Sequence, residues 1–304
     1  MSEQLVGEGR TVLVSGASTG LGRACARHLD DLGFRVFAGV RRSADAEALR
    51  AASSPRLRTI MLDVTSEESV ARATALVSAQ VGDRGLWGLV NNAGICVSAP
   101  LECVSPAQLR HQLDTNLIGH HAVIQASLPL LRTAHGRIVN VSSGLGRIAS
   151  PYLGAYAASQ FAKEGYSDAL RRELRPFDVA VSIVQPGAIR TPIWEKVSEV
   201  GHRTLDGAPV EVAELYRASF LRFLEGNDRR ARASATRPER FADAVAHAMT
   251  ARRPKSRYRV GFDSRLTSVL ARVLPDRVLD AAFATIVGEA KTSELDHEES
   301  HRES

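Results

Sequence analysis

A turn built of glycine, a phenol and a hydroxyl are the features of this 304-residue chain whose chemistry can be read first. The stretch SGASTGLG places Gly16, Gly20 and Gly22 directly after an apolar run. Residues without a Cβ let the backbone turn sharply and approach a pyrophosphate, whose charge is favoured by the N–H groups of a following helix. Tyr156 heads the small-residue stretch AYAASQFAKEG (155–165), where a phenol is placed to donate a proton. Each feature alone also has an ordinary structural use. Glycines serve any tight strand-to-helix turn, Ser143 in VNVSS can cap a strand end, and a tyrosine near a helix start can simply pack with its hydroxyl bonded. Asn116 in DTNLIG can bond its own helix.

These residues need elements to hold them. TVLVS (11–15), RVFAGV (35–40), RTIML (58–62), LWGLV (86–90), RIVNVS (137–142), VAVSIVQ (179–185) and YRVGF (258–262) read as strands. Amphipathic segments lie between them, as where Leu21, Cys25, Leu29 and Leu32 follow one another at spacings of four, four and three. That rhythm predicts a parallel sheet with helices on both faces, in which ligands bind outside the carboxyl ends of the strands. The candidate residues all follow strands. Between Pro192 and Pro254 the pattern is helical, which predicts a lobe at about 192–254 covering a substrate. Beyond the seventh strand, Leu266, Val269, Leu270, Val273 and Leu274 form one apolar stripe, and Val278, Leu279, Ala282, Phe283, Ile286 and Val287 form a second. Pro275 separates them into two short helices. The expected organisation is one domain over 1–262 that includes the lobe, a helical extension over 263–288 packing on the lobe or on a second subunit, and a disordered polar tail over 289–304.

Together the ordered set of SGASTGLG, LDV (Asp63, Val64), NNAG (Asn91 to Gly94), Asn116, Ser143, Tyr156 and PGAIRT (Pro186 to Thr191) resembles the short-chain dehydrogenase/reductase superfamily from about residue 10 to 192. The wording VFAGVRR and the lobe look like the branch containing hydroxysteroid and retinol dehydrogenases. The resemblance implies a doubly wound, Rossmann-like α/β fold with a mainly parallel seven-stranded sheet. It implies that Gly16, Ser18, Gly20, Leu21 and Gly22 bound the pyrophosphate turn and that Asp63, with Val64, meets the adenine. Asn92, Ala93 and Gly94 would line the cofactor path, while Asn91 stabilises the central sheet. Ser143, 13 residues before Tyr156, would hold the substrate oxygen while Tyr156 transfers the proton. Pro186, Gly187, Ile189 and Thr191 would meet the nicotinamide end, and Asn116 would hold a water connecting the site to solvent. The reaction implied is hydride transfer between a nicotinamide cofactor and a hydrophobic carbonyl or alcohol of steroid, retinoid or lipid type.

One position departs from the family pattern Tyr-x-x-x-Lys, because Gln160 stands where the lysine belongs. The lysine bonds the nicotinamide ribose and lowers the tyrosine pKa. A glutamine amide can donate hydrogen bonds but carries no charge. The nearest cation in sequence, Lys163, is seven residues past Tyr156, about 10.5 Å of helical rise, a separation that argues against rescue. A weakened proton relay favouring carbonyl reduction is therefore expected. An NADP-binding pseudoenzyme that acts as an interaction or sensor protein is the alternative.

Cofactor choice rests on the end of the second strand. An acidic residue there would hold ribose hydroxyls, whereas Val40 is followed by Arg41 and Arg42, which can clamp a 2′-phosphate. NADP(H) is thus preferred and NAD(H) is the other cofactor admitted, with Arg41 the first contact.

Composition bounds the partners. The net charge of +5 is dilute and lacks aromatic interleaving, so no nucleic-acid partner is expected. Three cysteines without metal or CxxC spacing suit a reducing compartment, and neither they nor the nine histidines form a metal motif. With no signal sequence and no apolar run of membrane length, a cytoplasmic protein is expected. Its partners would be a hydrophobic small molecule and its own copies, as a homodimer or homotetramer. Peripheral membrane contact through the two C-terminal stripes is a third reading.

Overall fold

A computed structural model describes residues 6–287, so the expected tail lies outside the described residues. Seven strands form one sheet: β1 (Thr11–Val14), β2 (Arg35–Val40), β3 (Leu57–Met61), β4 (Gly88–Asn91), β5 (Arg137–Val141), β6 (Ala180–Pro186) and β7 (Arg257–Val260). Their order is β3-β2-β1-β4-β5-β6-β7, and every pairing is parallel. The fold is the Rossmann-like, doubly wound one expected. Strand boundaries fall within two residues of the apolar runs. At β4 the difference arises because burial outlasts the hydrogen-bond ladder, since Leu86 is fully buried yet precedes the strand, and at β7 because the exposed Phe262 already begins the next helix.

Side chains of successive strand residues enter opposite layers. Val12, Val14, Val36 and Ala38 meet α1 (Gly20–Asp31) and α9 (Pro238–Thr250) on one face. Leu13 and Phe37 join the other layer, with α3 (Glu67–Val81), α5 (Gly119–Thr133) and α6 (Gly154–Glu173). A sheet buried on both sides explains why its strands read as nearly continuous apolar runs. The strand order reverses between β1 and β4, and the crevice at that switch point faces the carboxyl ends of both.

Because α9 lies beneath the sheet, the outer lobe consists of α7 (Ile193–Asp206) and α8 (Val210–Ala233). Its core gathers Leu205, Phe220, Phe223 and Leu224. Tyr152 meets Phe220 and Phe223 edge-on, with ring centroids 5.3 and 5.2 Å away, and its hydroxyl donates to Ser219 Oγ at 2.9 Å.

The two C-terminal helices behave differently. The second, α11 (Asp276–Val287), brings Phe283 and Ala284 to a cleft shared with Leu101, Pro151 and Tyr152. The first, α10 (Phe262–Val273), docks through polar groups: Ser264 is buried and donates from Oγ to Gln185 O at 2.8 Å, and Asp263 accepts from Ala188 N at 2.5 Å. Its stripe residues Leu266, Val269 and Val273 are exposed. The expectation that this stripe packs on the lobe therefore fails within one chain, because a polar edge of α10 takes the intramolecular contact instead.

Candidate active site

The turn after β1 is held open by backbone conformations that only glycine adopts cheaply. Gly16 and Gly20 have φ of +65° and +55°, in the left-handed region. A Cβ on Gly22 would overlap the carbonyl oxygen of Gly16, and one on Gly16 would sit 2.7 Å from the Cα of Ala93. The β4 end is stapled to this turn. Asn92 Nδ2 donates to Gly16 O at 3.0 Å and to Ser15 O at 3.2 Å, while Ser15 Oγ accepts from the N–H groups of Asn92 and Ala93. No acidic residue occupies the first turn of α1, which leaves its N-terminal end favourable to an anion.

At the outer end of the same cleft lie Arg41, Asp63, Val64 and Lys196. Burial opposes ionisation of Asp63, but the N–H and hydroxyl of Thr65 and the charges of Arg41 and His111 hold its carboxyl below the usual range. Arg42 turns away and forks onto Asp45, with Nε to Oδ2 at 2.8 Å and Nη2 to Oδ1 at 3.1 Å. Lys196, brought in by the first turns of α7, gave no sequence signal.

A π-helical turn, Asp114–Ile118, between α4 (Pro106–Leu113) and α5 aims Asn116 across the chain. Its Oδ1 accepts from Ile95 N at 2.9 Å, and its Nδ2 donates to Ile95 O at 3.0 Å and Ser159 Oγ at 3.2 Å. Asn116 thus joins the loop after β4 to α6 at the cleft, instead of bonding its own helix. Deeper in, Asn91 Nδ2 donates to Asn140 Oδ1 and His120 O, and Asn140 donates to Ser167 Oγ. That chain ties β4, β5, α5 and α6 together.

Tyr156 stands half-buried on the first turn of α6 and lines the cleft. Dense surroundings raise its phenol pKa above the ordinary value, the nearby Cys96 adds to the shift, and the neighbouring Ser143 hydroxyl works the other way. Ser143 closes β5, where its Oγ also accepts from Leu145 N at 3.2 Å. Among the described residues no cation contributes to the shift of Tyr156. Gln160 is 2% exposed and lines the cleft, and its Oε1 is buried with no partner.

Lys163 also opens on this cleft. Its Nζ donates to Val141 O at 2.9 Å, and burial lowers its pKa to about 7 against the upward pull of Glu164. Lys163 is not among the groups that shift the Tyr156 phenol, yet seven residues of helical rise do not keep it from the cleft. Residues 156, 160 and 163 lie within an arc of about 60° on one helical face, and that phase was the signal that axial rise alone missed.

Most of the sequence-derived residues converge here: Gly16, Ser18, Gly20, Leu21, Gly22, Asn92, Ala93, Gly94, Pro186 and Thr191 line the cleft with those above. Gly187 and Ile189 stand behind it. Gly187 is packed so closely on Asp263 that a Cβ would overlap the carboxylate, and buried Ile189 accepts at its carbonyl from Trp194 Nε1 at 2.8 Å. The left-handed glycine turn before the uncapped start of α1, the cations at the outer end and the unpartnered Gln160 oxygen fit a long molecule with phosphates at one end and hydroxyls at the other.

The sequence pattern of the short chain dehydrogenase family matches residues 10–200. The chain belongs to that family. It is 42% identical over 276 residues to a 3-amino-tetrahydro-pyrrolizinone reductase of Xenorhabdus hominickii, covering 90% of this chain and 94% of the relative. To the 17-beta-hydroxysteroid dehydrogenase type 6 of Bos taurus it is 43% identical over 274 residues, covering 88% and 86%. A short chain dehydrogenase from Burkholderia cenocepacia J2315, solved in complex with NADP, superposes with a TM-score of 0.70 at 26% identity, over 92% of this chain and 99% of that one. The hydroxysteroid and retinol dehydrogenase branch is thereby the right neighbourhood.

Proposed function

We propose that this protein reduces a hydrophobic carbonyl at the expense of NADPH, with Tyr156 as proton donor and Ser143 as the group that holds the carbonyl oxygen. The observation that carries this reading is the Ser143 hydroxyl beside the Tyr156 phenol, at the end of a glycine-built cleft. When bound, the nicotinamide ring supplies the hydride. The chain's residues do the rest. Gly16 to Gly22 and the start of α1 take the pyrophosphate, Arg41 with Lys196 takes the 2′-phosphate, and Asp63 and Val64 border the adenine. Asn116 fixes the spacing between the loop after β4 and α6. Without a cation at position 160, Tyr156 remains a donor at neutral pH and is a poor base towards an alcohol, so reduction outruns oxidation in rate.

An apolar substrate is supported by the neighbouring cleft of Leu101, Pro151, Tyr152, Phe283 and Ala284, and by relatives whose names refer to hydroxysteroids and retinol. The exposed stripe of α10 suits a contact between copies of the chain. No helix among the described residues is long and apolar enough to cross a membrane. The test is NADPH consumption on a panel of hydrophobic ketones, with alcohols run in reverse, beside Ser143→Ala and Tyr156→Phe. Turnover that collapses in both variants is expected. Tight NADPH binding with no turnover on any panel member would favour the alternative, a nucleotide-binding protein without chemistry.

A further inference from the structure

Lys163 is an unusual residue for the interior of this sheet layer. It is 3% exposed, and only Val141 O accepts from its ammonium, so two of its three donors have no partner among the described residues. Nor does any carboxylate there lie within ion-pair distance. Glu164, next in the chain, is committed elsewhere: its oxygens take Gln185 Nε2 at 2.9 Å, Arg257 Nε at 3.0 Å and Arg147 Nη2 at 3.1 Å. A buried cation with idle donors is costly, unless a ligand completes its shell. Other polar atoms of the same neighbourhood are also waiting for partners. Gln160 Oε1 and Ser142 Oγ, both on residues lining the cleft, are buried without partners, and so is Nδ1 of His120, whose ring feels the charge of Lys163.

We propose that Lys163 is the cofactor-positioning cation of this protein, donating from its ammonium to hydroxyls at the nicotinamide end of the bound dinucleotide while the Gln160 carbonyl oxygen accepts from them. The inference rests on the reading of the cleft as a nicotinamide dinucleotide site. Ribose hydroxyls suit the pair because each both donates and accepts, matching one idle acceptor and two idle donors. The work of a single side chain at position 160 is then divided between two residues one turn apart, which explains how a neutral glutamine is tolerated there. The charge serves cofactor binding and leaves the Tyr156 phenol without a cation.

A pH signature follows. Facing Lys163 are Glu164 on its own helix, held by Arg147 and Arg257, then His120 from α5, and Tyr156 with Gln160 at the cleft. Burial first, and Lys163 second, push His120 far below its usual range, and Tyr156 is pushed up, so Lys163 is the group of this cluster that changes charge near neutrality. With a free-state pKa of about 7, its side chain is mostly neutral at pH 8. Hydroxyl ligands that favour the ammonium must draw a proton in on binding.

Calorimetric titration of NADPH at pH 8, in two buffers of different ionisation enthalpy, tests this directly. The expected result is uptake of close to one proton per site by the unaltered chain. Lys163→Met should abolish that uptake and weaken NADPH binding about tenfold at pH 6.5, where the lysine is charged, and less at pH 9. The combination Gln160→Lys with Lys163→Met should restore affinity. Binding of NADPH by the unaltered chain without proton uptake overturns the proposal, whether or not any variant folds, as does a Lys163→Met protein with unchanged affinity and uptake. Absence of NADPH and NADH binding altogether overturns the cofactor reading, and this proposal with it.

Discussion

The two ends of the cleft are built on opposite plans. At the phosphate end the frame is bonded before a ligand arrives: Asn92 and Ser15 staple the glycine turn to β4, and the surface offered is backbone exposed by the absence of side chains, ending at the uncapped start of α1. At the Tyr156 end the surface is made of side chains from β5, α5 and α6, and several are left wanting, among them Gln160 Oε1 and Ser142 Oγ. On the proposed reading, a rigid glycine frame that tolerates no added atom would recognise what all dinucleotides share. The end with open valences would carry the chemistry, and there residues could exchange duties.

The comparison is broken most severely at Gly22. An added methyl would overlap Gly16 O and sit 2.5 Å from Asn92 Nδ2, neither of which can yield without opening the staple. Gly22→Ala should weaken NADPH and NADH binding by a hundredfold or more and cost on the order of 2 kcal/mol of stability, as overpacking does. Calorimetry and thermal melts measure the two effects. A variant that binds within threefold of the parent would mean that the turn does not carry the pyrophosphate.

Tyr156→Phe tests the other end. General acid–base groups contribute typically about 10² to 10⁴ in rate, so carbonyl reduction should fall by that range while the NADPH dissociation constant stays within about twofold. An equal loss of affinity would place Tyr156 in the binding surface and would blur the division between the two ends.

The pH dependence of the reverse reaction sharpens the contrast. Alcohol oxidation needs the ionised phenol, and burial raises the Tyr156 pKa with no cation to offset it. The oxidation rate should therefore climb about tenfold per pH unit through the alkaline range without a plateau below about pH 10. A positive charge about 4 Å from the phenol, at an effective dielectric near 20, supplies about 4 kcal/mol, or roughly three pKa units. Gln160→Lys should accordingly bring the plateau down and raise oxidation at pH 7 by about tenfold or more. An unchanged profile in a variant that binds NADPH normally would show that the charge at position 160 does not limit the phenol.

The same division explains what could be read from sequence. The glycine turn, the seven strands and the order of motifs were legible because each is encoded locally, by a missing Cβ or by a run of apolar residues. Lys163 was not, because its place on the cleft depends on the rotational phase of α6 and on a carbonyl of β5 reached only after folding. Lys196 was hidden for a like reason, since it enters the cleft from a lobe helix. The exposed stripe of α10 marks the opposite limit. Periodicity shows that a helix has an apolar face, but Asp263 and Ser264, two polar residues at its start, decide which side meets the protein. Ser143 and Tyr156 occupy an intermediate place: the family pattern marked them and the missing charge at position 160 as candidates, while the dense surroundings and the Cys96 neighbour that raise the phenol pKa emerged only from the packing.

The smallest expected effect concerns two adjacent arginines that the sequence could not separate. Arg41 borders the cleft and its charge reaches Asp63. Arg42 is forked onto Asp45, and its side chain is 73% exposed. A 2′-phosphate would gain a charge-assisted bond from Arg41, but an exposed guanidinium is screened by salt and flexible, so the gain is near the low end of the usual about 1.5–3 kcal/mol. Arg41→Ala should weaken NADPH binding about tenfold, leave NADH within about twofold, and reduce the sensitivity of NADPH binding to added salt. Arg42→Ala removes no ligand contact. It frees the Asp45 carboxylate, which lies close enough to Arg23 and Lys196 to feel their charges, and the loss for NADPH should stay within about twofold. Titrations of both cofactors against both variants at two salt concentrations decide the matter. Equal losses in the two variants would show that the outer end reads diffuse charge, whereas a tenfold loss confined to Arg41 and to NADPH assigns the phosphate to one side chain.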